Sequence, residues 1–253
     1  MARAIQRAEA HVPERAWGAT GRPVRRLAAR LRALLAATVG SPLVLLTLLA
    51  LALRWNALDL ARVDGPLLGA LTESAAVARG ESLPLVGAPT ALGLHHPPWL
   101  IYLLALPALA SRDPRWALGL VALLNVAGLV GLSLLARRYY GSRTAALVAI
   151  LWLVNPWTGL LAQQASAAAL LAPLAVVVLC GLLRGAVDRS PWGWALAVGG
   201  LGAMVGLSLW ALVAVPGVAL ALLLYRRRVS WPHALLGACI ALLLLSPWLY
   251  EGN

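Results

Sequence analysis

Between His95 and Ala110 the chain reads "HHPPWLIYLLALPALA", two histidines and two prolines running straight into apolar sequence. The reading of this stretch decides the fold. Its apolar part, 98–110, offers only thirteen residues with Pro107 inside, whereas crossing about 30 Å of hydrocarbon takes about 20 helical residues. If the stretch crossed a membrane, every later segment would change sides and the arginine clusters would scatter over both faces. If it lies along the interface, all of those clusters fall on one face.

Outward from this stretch, apolar runs at 34–53, 115–136, 144–162, 166–183, 192–208, 210–225 and 231–250 supply seven candidate spans. Mean hydropathy of +0.82 with 12% charged residues excludes the ordinary soluble class. Leu34–Leu53 is free of charge and follows 33 residues that hold eight arginines. Leader and apolar run are both too long for a cleaved signal peptide, so residues 1–33 read as a basic cytoplasmic leader before an uncleaved first span. Residues 192–225 read as two short spans joined near "GLSLW", because one tilted helix would carry Arg226–Arg228 to the other side.

This arrangement puts 16 of the 21 arginines on the cytoplasmic face with three acids, and five arginines with six acids on the outer face. Such an asymmetry is what the positive-inside rule demands. The net charge of +12 therefore points to a lipid bilayer, whose anionic headgroups attract juxtamembrane arginines, and not to nucleic acid. The fold expected is all-α, a polytopic membrane bundle over 34–253 with about seven transmembrane helices and interfacial helices in a first outer loop, 54–113. The amino terminus lies in the cytoplasm and the carboxyl terminus outside.

Candidate chemistry gathers on the outer face, as suits an enzyme of amphipathic substrates. Asp64, in "RVDGPLL", precedes a helix whose Leu67, Leu68, Leu71, Ala75 and Ala78 recur at helical spacing and which Gly80 closes. Its carboxylate can act as a base at the water boundary or serve as the helix N-cap ahead of Pro66. His95 and His96 can contact a phosphate or pass a proton, or can simply decorate an extended loop before Pro97. No third ligand stands at metal spacing beside them, so no metal is assigned. Gln163 and Gln164, near the same face, have amides suited to sugar hydroxyls or to headgroup water. Asn125 and Asn155 read as interhelical hydrogen-bonding residues, and the tryptophans near span ends as an aromatic belt.

The run "VDGPLLGALTESAAVARGESLPLVGAPTALGLHHPPWLIYLLALP", followed by "DPRWALGLVALLNVAGLVGLSLLARRYYGSRTAALVAILWLVNPW", resembles the amino-terminal half of family 39 type C glycosyltransferases. These are polytopic enzymes related to protein mannosyltransferases and to the aminoarabinose transferases of lipid A. The resemblance implies sugar transfer with inversion from a polyprenyl-phosphate donor to an acceptor at the outer face of a bacterial inner membrane, with no certain cofactor. Asp64 then matches the first of the family's paired loop acids and takes the acceptor's proton. His95 and His96 stand at the rim of the donor cavity framed by Pro97 and Pro98, and Arg79 joins them and Gln163 and Gln164 as a substrate-binding residue. Gly65 stands where the family has its second acid, and family enzymes are roughly twice as long. The chain is therefore expected to be truncated and to associate with another membrane protein or a second copy of itself. A non-catalytic membrane subunit of a larger complex, a degenerate relative of the family, is the alternative reading.

Overall fold

The structure, a computed structural model, describes residues 42–58, 65–89, 95–111, 113–161 and 164–251. Two compact units divide the chain, Met1–Leu45 and Leu46–Asn253. The leader at 1–33, Asp64 and Gln163 lie outside the described residues.

Every regular element among the described residues is helical. In chain order these are α1 (Pro42–Ala57), α2 (Gly65–Ala78), α3 (Trp99–Ala108), α4 (Pro114–Tyr140), α5 (Ser142–Val154), α6 (Pro156–Leu161), α7 (Ala167–Ala186) and α8 (Pro191–Leu207). A 3-10 segment, Leu209–Ala214, then leads into α9 (Val215–Leu224) and α10 (Trp231–Glu251). Three of these, α4, α7 and α10, are long and apolar enough to cross a membrane, and the other described stretches expected as spans form shorter apolar helices. At ten residues α3 is about 15 Å long, half a bilayer core, as the interfacial reading of 98–110 requires. The expected division of 192–225 into two helical parts is present, with Ser208 extended (φ −156°, ψ 129°) at their junction.

The run 144–162, expected as one span, is broken. Pro156 biases the residue before it away from helix, and Asn155 ends α5 at φ −64°, ψ 114°. Asn155 does not bridge helices as expected; its Oδ1 accepts the Trp157 N–H at 3.0 Å and so starts α6. In α2 the apolar residues that recur at helical spacing do not share one environment. Leu67 and Ser74 are buried and Leu68 is exposed, so the face runs 67, 70–71, 74. The Ser74 hydroxyl donates to the Ala70 carbonyl at 2.6 Å, which settles its own polarity in an apolar setting.

Asn125 bridges helices as its sequence setting suggests. Its Nδ2 donates to the Ala169 carbonyl at 2.9 Å, both residues being buried. Pro173 explains the need. Lacking an N–H, it cannot serve the carbonyl four residues back, which is Ala169, and Asn125 on α4 fills that place. In α10, Pro247 likewise frees the Leu243 carbonyl, which the Ser246 hydroxyl takes at 2.8 Å.

Small residues bring α7, α8 and α10 to close approach, as is usual where lipid supplies no hydrophobic drive between helices. A Cβ at Gly181 would stand 2.8 Å from both Ala197 Cα and Gly193 O, and one at Gly185 would stand 2.7 Å from the Trp194 ring. Hydrogen bonds then fix which loops share an end of the bundle. Asp188 Oδ2 accepts from Tyr139 at 2.9 Å and pairs with Arg138 at 2.8 Å. Arg228 donates to the Ala186 carbonyl at 3.0 Å, and the Trp194 indole donates to the Arg228 carbonyl at 3.1 Å. "RRYYGSR", "RGAVDR" and "YRRR" are thereby gathered at one end, whereas the stretch after His95 meets the final turns of α8 and α10 at the other.

Candidate functional site

The His-Pro-Pro element is held in an extended form that proline favours and that backbone pairing completes. Pro89 and His95 form an antiparallel bridge. The His96 N–H donates to Ala88 O at 3.0 Å, and the Gly87 N–H donates to His96 O at 2.6 Å. Only glycine fits at 87, because a Cβ there would stand 2.9 Å from the Pro97 carbonyl. Pro97 and Pro98 are fully buried, and from them the chain turns into α3.

Two tryptophans tie this element to α10 in opposite directions. The Trp248 indole donates to the His95 carbonyl at 2.8 Å, while the Trp99 indole donates to the Leu244 carbonyl. Tyr102, one turn into α3, packs its ring 5.6 Å from that of Trp99 and donates to Pro84 O at 2.8 Å. An aromatic belt would explain tryptophans at these positions, but both indoles serve as specific donors across the bundle.

His95 is exposed, with its carbonyl engaged as above, and His96 is half-buried. His96 Nδ1 accepts the Leu209 N–H at 3.4 Å, at the start of the 3-10 segment, which leaves the ring proton on Nε2. Burial holds this imidazole below its ordinary value, so it is neutral at physiological pH. Arg79 is exposed and grips Glu81 through two nitrogens at 2.5 and 2.6 Å, a pairing that raises its own pKa. Gln164 is exposed. The described candidates thus do not converge on one point. His95 and His96 share the His-Pro-Pro element, whereas Arg79 engages Glu81 just beyond α2. Among the described residues no group of three His, Cys, Asp or Glu is placed to hold a metal ion.

Directly beside the His-Pro-Pro element opens a cavity of about 760 Å³. Trp99, Tyr102, Leu207 and Leu244 line its near end, and Leu135 and Cys180 its far end. Its wall along α4 runs from Leu124 to Leu135, eleven helical steps or about 16 Å of helix. Apart from single polar atoms of Trp99, Tyr102 and Cys180, its side chains are hydrocarbon, with glycines at 128 and 131 keeping it open. Nothing in the sequence pattern announced this cavity, since its walls come from five helices. Such a space can hold a long apolar chain with its head at the His-Pro-Pro rim.

The sequence model of the dolichyl-phosphate-mannose-protein mannosyltransferase family matches residues 95–250. Among solved structures the chain is similar to ArnT from Cupriavidus metallidurans, which was crystallised bound to undecaprenyl phosphate. The TM-score is 0.62 at 21% identity, over 82% of this chain and 40% of that one. The chain therefore spans less than half the length of the solved relative, and the likeness establishes the fold. Among curated proteins none matches.

Proposed function

The chain belongs to the dolichyl-phosphate-mannose-protein mannosyltransferase family, and we propose that it is a membrane glycosyltransferase moving a sugar from a polyprenyl-phosphate donor onto an acceptor. The observation that carries this reading is the elongated apolar cavity beside the His-Pro-Pro element. An isoprenoid chain is long, branched only by methyl groups and apolar throughout, with a single phosphate head, and the cavity offers a matching lining.

In this reading the acceptor hydroxyl loses its proton to Asp64 and attacks the anomeric carbon. The bond from that carbon to the phosphate oxygen breaks, the configuration inverts, and polyprenyl phosphate leaves with the electron pair. His96, neutral and with Nε2–H unengaged by the Leu209 contact, offers a hydrogen bond at the cavity rim. His95, Gln163 and Gln164 are assigned to sugar hydroxyls, and Arg79 to a charged part of donor or acceptor. The arginine-rich end faces the cytoplasm of a bacterial inner membrane and the His-Pro-Pro end faces outward, in keeping with the grouping of "RRYYGSR" and "YRRR" at the opposite end. Another membrane protein or a second copy completes the working assembly, which mass measurement in mild detergent tests.

Transfer from a radiolabelled polyprenyl-phosphate sugar, followed in purified protein, tests the reaction. Asp64→Asn retains a capping oxygen, so the fold is kept while proton abstraction is lost, at a cost of about 10²–10⁴-fold in rate. An unimpaired Asp64→Asn enzyme removes Asp64 from the chemistry. Gly65, standing where the family carries a second acid, favours a second reading as a non-catalytic subunit. Wild-type protein that binds polyprenyl phosphate and transfers nothing supports that one.

A further inference from the structure

Arg54 is unlike the other arginines of the described chain. Arg79 is paired with Glu81, Arg138 with Asp188, and Arg228 with a carbonyl, all at helix ends or loops. Arg54 lies within α1 at 8% exposure, and neither its Nε nor its NH2 has a hydrogen-bond partner among the described residues. It shares a helix face with Ala50 and Leu58, four residues to either side, and both of these are buried. Leu58 belongs to the apolar cluster built from Leu67, Leu104 and Leu207, and Leu207 also lines the cavity described above.

A guanidinium in such a place is costly. The three N–H donors on its Nε and NH2 have lost water without gaining acceptors, whereas a leucine or glutamine at the same register would fill the space with no charge to desolvate. An ionisable side chain buried in a membrane-embedded helix generally marks a functional site with an ionic partner. The planar fork of N–H groups matches the tetrahedral oxygens of a phosphate, which it can grip through two parallel hydrogen bonds. Arg54 also stands ten residues before Asp64 in the chain, at the end of α1 that leads into the loop bearing this acid.

We propose that Arg54 is the cation that receives the phosphate of the lipid-linked donor and holds it as the sugar departs; this rests on the reading that such a donor binds beside the His-Pro-Pro element. The unpartnered Nε and NH2 donors of Arg54 are then the groups that the phosphate oxygens engage.

The test compares undecaprenyl phosphate, undecaprenol and inorganic phosphate as ligands of the purified full chain in mild detergent, with tryptophan emission and native mass spectrometry as readouts. Wild type is expected to bind undecaprenyl phosphate at least tenfold more tightly than undecaprenol. Arg54→Gln is expected to lose that preference while keeping its affinity for undecaprenol, and Arg54→Lys to recover part of it. The ligand-free Arg54→Gln protein should melt no lower than wild type, because the Nε and NH2 donors it removes are unpartnered and a buried charge goes with them. If Arg54→Gln keeps the full preference, the assignment of Arg54 is overturned and the lipid-linked donor stands. If wild type itself shows no preference for the phosphate, both fall. If Arg54→Gln fails to fold or melts lower, Arg54 is a structural residue only. Competition by inorganic phosphate at equal concentration would make a free anion the ligand and overturn the lipid assignment.

Discussion

Asn125 and Pro173 should be energetically coupled although they sit on different helices, and the coupling can be sized from the structure. Pro173 leaves the Ala169 carbonyl without its helical partner, and Asn125 donates to that carbonyl at 2.9 Å in a buried setting. Asn125→Leu keeps the branched shape and removes the donor, leaving a buried acceptor unmet at a cost of about 1–3 kcal/mol in general. Interhelical hydrogen bonds in membranes measure lower, about 0.6 on average and up to about 1.7 kcal/mol. We therefore expect a loss of about 1–2 kcal/mol. In a Pro173→Ala background the new N–H at 173 reaches the Ala169 carbonyl within α7, so the same Asn125→Leu change should cost close to nothing. The four proteins form a double-mutant cycle, read as melting temperatures in mild detergent by tryptophan emission. At roughly 2–4 °C per kcal/mol for a chain of this size, Asn125→Leu alone should lower the midpoint by roughly 2–8 °C. An equal loss in both backgrounds would refute the reasoning, since Asn125 would then be serving something other than the carbonyl that proline frees.

Gly181→Ala should be destabilising, because its Cβ would meet backbone atoms of α8 at 2.8 Å, while Gly199→Ala should not, its nearest atom being 3.7 Å away. Both sites are mid-helix, so the propensity gain cancels between them and the difference isolates overpacking, about 1–3 kcal/mol; a Gly181→Ala protein melting as high as Gly199→Ala would sink the close-packed crossing. Trp248→Phe should cost about 1 kcal/mol and speed amide exchange at His96, with unchanged exchange counting against the stitch to α10. His96 has its folded pKa lowered by burial, so between that value and the unfolded value near 6.5 the unfolded chain binds more protons. Stability should accordingly be complete above about pH 6.5 and fall as the pH drops through the folded pKa; His96→Gln should abolish that part of the pH dependence in a melting series. Single cysteines at Ser82 and Ser142, in a background lacking Cys180 and Cys239, should react with an impermeant thiol reagent in intact cells at 82 only.

The sequence disclosed those features that depend on length and charge. The shortness of α3 follows from Pro107 and thirteen apolar residues, and the gathering of basic loops at one end follows from where arginine is placed. It hid the features that depend on which helices touch. The break at Asn155 is masked by apolar residues on both sides, although Pro156 was the available signal. Which apolar residues of α2 face inward is not legible, because hydrophobicity around the helix is nearly uniform and its tilt is set by packing against α3. Asn125 was legible as a bridging residue, but its acceptor became identifiable only once α4 and α7 were seen to cross near Pro173. Arg54 follows directly on the apolar run 34–53, and nothing in that position tells of its burial beside the cluster around Leu58. Of the site, the His-Pro-Pro element was visible in the sequence, whereas the cavity beside it, drawn from five helices, was not.

The two indole bonds between the His-Pro-Pro element and α10 join residues 145 and 153 positions apart. During synthesis the rim of the cavity is therefore made long before the groups that brace it. At about 5–20 residues per second, the ribosome needs on the order of 10 s or more to supply α10 after His95 has emerged. Throughout that interval Pro97, Pro98 and the start of α3 must wait in the membrane without their bracing donors. The nascent chain thus carries an open, apolar and half-framed chamber, which makes this interval the time at which lipid or an insertion factor has freest access to it.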